Sequence, residues 1–565
     1  MNTQVQGVMT QNFFDVSRSI AEKFIQTVVA VDDKITFGGN LNKAVEEPMQ
    51  VVVPPQDVSG LGESVQEQVS SVISEPINKQ DDNELNYQEL SEGFAEKSIL
   101  CTALKTFSGI DGEEKTINAT LNLAKKADIT ILDWQMENDA TRHGEIAKGV
   151  IDQLLAHDVN NNGRLRLILL YTSADIGNVI TKLVTTLNEH APEAQDENSI
   201  IFPNESLKLC RIFVIKKTEN IQELVDTSIQ KFTEMTCGLL SNATLAAITE
   251  IRDKTHHHLY KFNSKLDTAY ISHVIGLISS PEMRESAHEV AFDYAVDLIS
   301  EELKSDLQTS KYLKDSLTSD TLKKWPLYKN PENQDKHSIT VGEKDPVVFN
   351  NERMQKILSV KTDEELQAIL DESPVFPKIG KKNRFDSFRD SYIQFKFTDE
   401  DNRDEHLQLS AIECLRRDPL NISSDFEPVL KQGTVIRKDD TYFVCIQPIC
   451  DSVRLTCATS FLFLKSEKLD NTNFSHVIRH SEGYKCLRFK STSRFVSLIE
   501  FTPTNKMVRA TKQENINVFQ STNEDVYEWC GELKQAIYQE LVNAVSASIA
   551  RVGFDSFEWL RLRRS

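Results

Sequence analysis

Four runs in the first 220 residues are apolar on both faces of an extended chain and stop abruptly at a polar group. They are Thr27-Val28-Val29-Ala30-Val31 before Asp32-Asp33, Ile129 to Leu132 before Asp133, Leu165 to Tyr171 before Thr172-Ser173, and Leu209 to Ile215 before Lys216-Lys217. Short runs without alternation predict buried parallel strands. Residues 101–107 read as a further, weaker strand. Between them, residues 12–26, 87–100, 113–126, 141–156, 176–187 and a stretch from about 220 carry helical periodicity. Strands alternating with helices predict an α/β domain with a doubly wound, five-stranded parallel sheet over residues 12–235.

The pattern breaks once. From about 34 to 88 the chain is rich in Ser, Gln, Pro and Val, and between Leu41 and Leu90 ten Asp/Glu face two Lys. Such a stretch buries little apolar surface and reads as a flexible acidic insertion, with Val51-Val52-Val53 as a candidate edge strand. Residues 236–324 are helical almost throughout, a length suited to a bundle or a homo-oligomeric stalk. Residues 325–380, with Pro326, Pro331 and Pro346, read as a linker with short helices. Residues 381–565 predict an α+β domain: β candidates at 433–437, 441–448, 461–464, 486–489 and 495–501 form a small barrel or curled sheet, and a long helix over 524–551 closes it.

Composition narrows the function classes. The net charge of −21 argues against a general nucleic-acid binder, because phosphate neutralisation needs excess Lys/Arg. No apolar run has the length of a membrane span. The nine scattered cysteines suit a reduced, cytoplasmic setting.

Three weaker features carry bland readings. His256-His257-His258 lies on a predicted helix, where consecutive side chains diverge. Cys445, Cys450 and Cys457 lack paired Cys-x-x-Cys spacing for zinc. Cys450-Asp451 has no histidine at a recognisable spacing to serve as a base. No catalytic output motif stands out, so the chain reads as a non-enzyme.

The strand ends carry the chemistry. In an open α/β sheet ligands bind beyond the carboxyl ends of the strands. Asp32, Asp33 and Asp133 placed there would repel one another unless a divalent cation sat among them, and Mg²⁺ suits such a site. A carboxylate can take a phosphoryl group, whose oxygens then need a cation, an ammonium and a hydroxyl. Thr172 or Ser173, and Lys216 or Lys217, complete that set.

In this order of strand endings the chain resembles the receiver domain of two-component response regulators, over roughly residues 27–235. The resemblance implies Asp133 as phospho-acceptor, Asp32, Asp33 and Asp133 with the backbone carbonyl of Gln135 as Mg²⁺ ligands, Thr172 as switch hydroxyl and Lys216 as the phosphate-binding ammonium. It implies a sensor histidine kinase as partner. Three departures stand out: the insertion after Asp33, Trp134-Gln135-Met136-Glu137 in place of the usual apolar-x-Met-Pro, and Lys217 where the family has proline. The layout is also similar to the effector-less receiver proteins of Detocs-type anti-phage systems. That similarity implies a phosphate sink, with a related effector-bearing receiver as a further partner. The alternatives are a phosphorylation-inactive scaffold, and a phospho-gated regulator whose C-terminal domain is the output.

Overall fold

The computed structural model describes residues 12–36 and 85–550, apart from 138, 219, 282, 399, 424, 468–473, 482 and 515. The chain divides into two compact units. Residues up to 257, 303–334 and 350–369 form the first; residues 258–302, 335–349 and 370 onwards form the second. The candidate strand Val51-Val52-Val53 lies outside the described residues.

The first unit is built on five parallel strands: β1 (Thr27–Asp32), β2 (Leu100–Lys105), β3 (Ile129–Asp133), β4 (Arg166–Thr172) and β5 (Cys210–Lys216). Their order across the sheet is 2-1-3-4-5. The register is continuous, with Ala30 opposite Ile131, Ile131 opposite Leu169, and Leu169 opposite Phe213. Alternate residues feed two separate cores, which is why these strands read as unbroken apolar runs. Val29, Val31, Leu132, Ile168, Leu170, Ile212 and Val214 face the helices α3 (Gly112–Ala124), α4 (Glu145–Asn160) and α5 (Ile176–Thr186). Val28, Ala30, Ile131, Leu169, Tyr171 and Phe213 face α1 (Phe13–Phe24), α2 (Tyr87–Glu96), α6 (Ile221–Thr236) and α7 (Leu239–Asp253). The predicted doubly wound sheet is present.

Residues 191–204 contain a hairpin. Its strands Glu193–Asp196 and Ser199–Ile201 extend the sheet antiparallel beyond β5, where Ile200 pairs with Ile212. At the start of the insertion Ile35–Thr36 pairs in parallel with Leu85–Asn86. At the end of the sheet away from the strand tips, Arg166 is fully buried and donates from Nε and Nη2 to Asp158 at 2.6 and 2.9 Å.

In the second unit, an antiparallel sheet runs in the order Val496–Phe501, Thr459–Lys465, Thr441–Cys445, Thr434–Lys438, Val526–Leu533, Ile516–Gln520, Thr511–Gln513. An isolated bridge from Phe501 to Ser521 ties the first of these strands to the end of the sixth. Phe461, Phe463, Phe501, Phe519 and Trp529 share one core beneath it.

Residues 524–551, expected as one long helix, divide into the strand Val526–Leu533 and the helix Gln535–Ile549. That strand is central and paired on both sides, and its residues from Trp529 to Leu533 are all buried. Burial of both faces removed the alternation that marks a strand. The expected linker also holds structure, since His337–Val341 pairs with both Val347–Phe349 and Ile393–Phe397, and His337 is buried among Phe349, Phe395 and Phe397.

Candidate functional site at the tips of the parallel strands

The carboxyl ends of β1 and β3 put Asp32 and Asp133 side by side, 1% and 2% exposed, with Asp33 half-buried at the rim. Carboxylate oxygens of the three lie within 4.8 Å of one another, the one cluster of potential metal ligands among the described residues. Both buried carboxylates are anchored by backbone. Asp32 Oδ1 accepts from the Lys34 N–H at 2.7 Å, and Asp133 Oδ1 accepts from the Gln135 N–H at 3.1 Å.

The ammonium that meets them belongs to Lys217. Its Nζ donates to Asp133 Oδ2 at 2.9 Å and to Asp32 Oδ2 at 3.1 Å. Lys216, the residue expected in this place, instead turns its Nζ to the carbonyls of Ser173 and Ala174. The register explains the correction. Lys216 is still paired in the sheet, opposite Thr172, on the face shared with Ile212 and Val214. Lys217 is the first residue beyond the ladder, with its N–H on the Thr172 carbonyl at 2.9 Å, and it reaches over the edge of the sheet.

Tyr171 holds that turn from below. Its hydroxyl donates to the Thr218 carbonyl at 2.7 Å and accepts from the Thr218 N–H at 2.9 Å, and its ring centre lies 5.7 Å from the Lys217 ammonium. Nothing in the spacing of the sequence singled out Tyr171. Thr172 is fully buried at the tip of β4, where its Oγ1 accepts from the Ala174 N–H at 3.0 Å. Beside it, the Ser173 hydroxyl donates to Gln135 Oε1, joining the loops after β3 and β4.

The charges are unbalanced. Burial, and then the neighbouring Asp32 carboxylate, push the Asp133 carboxyl up to about 6 despite Lys217. Asp33 is raised for the same two reasons in the same order. Burial lowers the Lys217 ammonium, but the Asp133 and Asp32 carboxylates together outweigh it and the net shift is upward. Among the described residues Lys217 bridges Asp133 and Asp32 and the Lys34 charge acts on Asp33, yet both raised carboxyls mark negative charge that a divalent cation would offset.

Residues 24–221 match the family model of the response receiver domain. The matched span covers the parallel sheet and every residue of the strand-tip cluster. Domains of this family accept a phosphoryl group in two-component signalling. No curated protein and no solved structure matches the chain.

The segment after Asp133 departs from the usual receiver sequence, and its side chains are built into the domain. Trp134 is buried beneath Gly144, whose φ is +95°, and an added Cβ there would lie 2.3 Å from the indole. Glu137 is buried and accepts from the N–H groups of Gly144 and Ile146 at the start of α4. Its charge satisfies donors that a helix N-terminus leaves unpaired.

The remaining sequence candidates do not assemble. His256, His257 and His258 lie on the short helix Thr255–Lys261 and join no metal-type cluster among the described residues. Cys445 is buried, and burial pushes its thiol up to about 12, whereas Cys450 and Cys457 are exposed. Among the described residues no helix is long and apolar enough to cross a membrane.

Proposed function

We propose that Asp133 accepts a phosphoryl group from the phosphohistidine of a sensor histidine kinase. The observation that carries this reading is a buried carboxylate at a strand tip, with two further carboxylates within 4.8 Å and an ammonium at 2.9 Å. The donor's N–P bond breaks, an O–P bond forms to a carboxylate oxygen of Asp133, and the imidazole leaves with the electron pair. Lys217 stands where it can balance charge on the transferred oxygens, and Thr172 is the hydroxyl for a third. Asp133 must be ionised to act as the nucleophile.

Asp32, Asp33 and Asp133, with the Gln135 carbonyl, form the donor set for Mg²⁺. The donors are hard oxygens, and the excess carboxylate charge fits a small divalent cation. When bound, Mg²⁺ would neutralise carboxylate charge and draw phosphoryl oxygens into the site.

At the level of the cell, we place the chain in the cytoplasm as a phosphate sink or signalling component of an anti-phage two-component system, alongside an effector-bearing receiver. The absence of a recognisable output motif in the sequence supports this. A second reading, a phosphorylation-inactive scaffold, is favoured by the insertion after Asp33 and the unusual Trp134-Gln135 step after Asp133.

Labelling with acetyl phosphate or a cognate kinase decides between them. Acid-labile phosphate should appear on the parent chain and not on Asp133→Asn. Equal labelling of the two would remove Asp133, and a parent unlabelled with Mg²⁺ present would support the scaffold.

A further inference from the structure

In the second unit the helix Asp267–Ser279 is one of the most apolar of the chain, yet Val274 is its single buried residue. Its inner side meets the helix Ala287–Thr309. The Tyr270 hydroxyl donates to the Ala291 carbonyl at 3.0 Å, and the His273 ring lies 4.5 Å from that of Tyr294. Among the described residues nothing covers the other side. Ile271 and Ile275, four residues apart, are exposed, and Ser272 and Gly276 form the adjoining exposed row. Just before the helix, Leu259, Tyr260 and Leu266 are exposed as well. The five large apolar side chains are 48–78% exposed.

We infer that this outer face is a self-association surface, and that its occupant is the same helix of a second copy. Three observations choose that occupant. The five side chains expose on the order of 500 Å² of apolar surface, close to the apolar share of the roughly 800 Å² that each partner brings to a standard interface. The helix carries one carboxylate, Asp267, and no Lys or Arg, on a chain of net charge −21. A different partner suited to this chain would be met by charge complementarity, whereas two acidic copies approach most easily at a face whose helix carries no charge beyond Asp267 and whose flanking residues add Lys265 and a Lys261 already paired with Glu302.

The third observation is Gly276. Glycine weakens a helix interior. Among the described residues of the protomer nothing requires it, because a Cβ at Gly276 would meet no atom within 4 Å. The close approach of a second helix across that point supplies the reason. A face meeting its own copy about a two-fold axis is self-complementary and closes at a dimer.

This surface lies outside the strand-tip site and does not rest on its phosphoryl chemistry. The test is sedimentation equilibrium of the full chain. The parent should be a dimer at micromolar concentration. Ile275→Glu should raise the dimer dissociation constant by roughly 100-fold, because a carboxylate would have to be buried at the contact. Gly276→Leu should raise it by roughly 10-fold or more, by holding the helices apart, while leaving the thermal midpoint of the monomer unlowered. Leu498→Glu, at an equally exposed apolar residue elsewhere in the same unit, should change nothing. A parent that stays monomeric up to ~100 μM, well above the micromolar range of weak complexes, overturns the inference. So does a dimer that Ile275→Glu and Gly276→Leu leave intact.

Discussion

Replacing Asp133 by Asn should stabilise the receiver domain at neutral pH, although it removes the proposed acceptor. Folding raises the Asp133 carboxyl from 3.8 to about 6. A carboxyl whose folded pKa is raised binds its proton more tightly in the native state. Stability is therefore lost as pH rises from 3.8 through about 6, and the full penalty is present above that. At about 1.4 kcal/mol per pKa unit the shift has a ceiling of about 3 kcal/mol. The amide keeps the shape but loses the charged contact with Lys217, which Asp32 still holds at 3.1 Å, so a net gain of about 1–2 kcal/mol is expected.

Because the chain has two compact units, a single global unfolding free energy is poorly defined, and local hydrogen exchange is the suitable assay. Amides of β1 and β3 should exchange roughly 5–30-fold more slowly in Asp133→Asn than in the parent at pH 7.5. The difference should shrink at pH 5, where the parent is itself protonated, and Mg²⁺ should shrink it at pH 7.5. A mutant less protected than the parent at pH 7.5, or a gain equal at the two pH values, would refute the charge imbalance.

Four further outcomes follow from the geometry. Lys217→Ala should cut phosphoryl uptake at least about 10-fold while Lys216→Ala leaves it near the parent's, since of these two lysines it is Lys217 that reaches Asp133 and Asp32; initial rates with acetyl phosphate check this. Uptake should also fall on acidification as Asp133 gains a proton, at a lower pH with Mg²⁺ bound than the value of about 6 set by the metal-free site, and a rate that does not fall by about pH 4 would count against ionised Asp133 as nucleophile. Arg166→Met should cost about 3–5 kcal/mol by leaving the buried Asp158 with the His157 ring as its remaining side-chain partner, whereas the Arg166→Met, Asp158→Leu pair should recover most of it; hydrogen exchange of the β4 amides reads both. Gly144→Ala should destabilise by about 2 kcal/mol or more, because φ is +95° and the methyl meets Trp134, and the tryptophan emission should shift with it.

The sheet and most of the site were readable from the chain because buried parallel strands leave their mark on every residue. Ile129 to Leu132 could not alternate, since its two faces feed two cores. Asp32, Asp33 and Asp133 followed as the first polar residues beyond such runs. The lysine was misplaced by one position because the strand's apolar run ends at Ile215, one residue before pairing does. The fine alternation at that last rung, Lys216 on one face and Lys217 over the edge, depends on three-dimensional register. Tyr171 escaped notice because it reads as one more apolar strand residue until its hydroxyl is seen on Thr218. The hairpin at 193–201 is too short and too polar on its outer strand to stand out, and its outer residues are all exposed. Val526–Leu533 failed for the opposite reason, with neighbours on both edges and both faces covered.

The small parallel ladder of Ile35–Thr36 with Leu85–Asn86 has a consequence for how this lineage can change. The ladder fastens together the two ends of the inserted residues 37–84, with Leu85 N–H on the Lys34 carbonyl at 3.3 Å, directly behind the Asp32-Asp33 pair. Once the ends are clamped, the length of chain between them weighs little on the ladder: for a flexible connection, doubling the length costs only about 0.6 kcal/mol in closure entropy. The insertion point therefore works as an interchangeable socket, through which sequence can be gained, lost or exchanged by descent without retuning the carboxylates beside it.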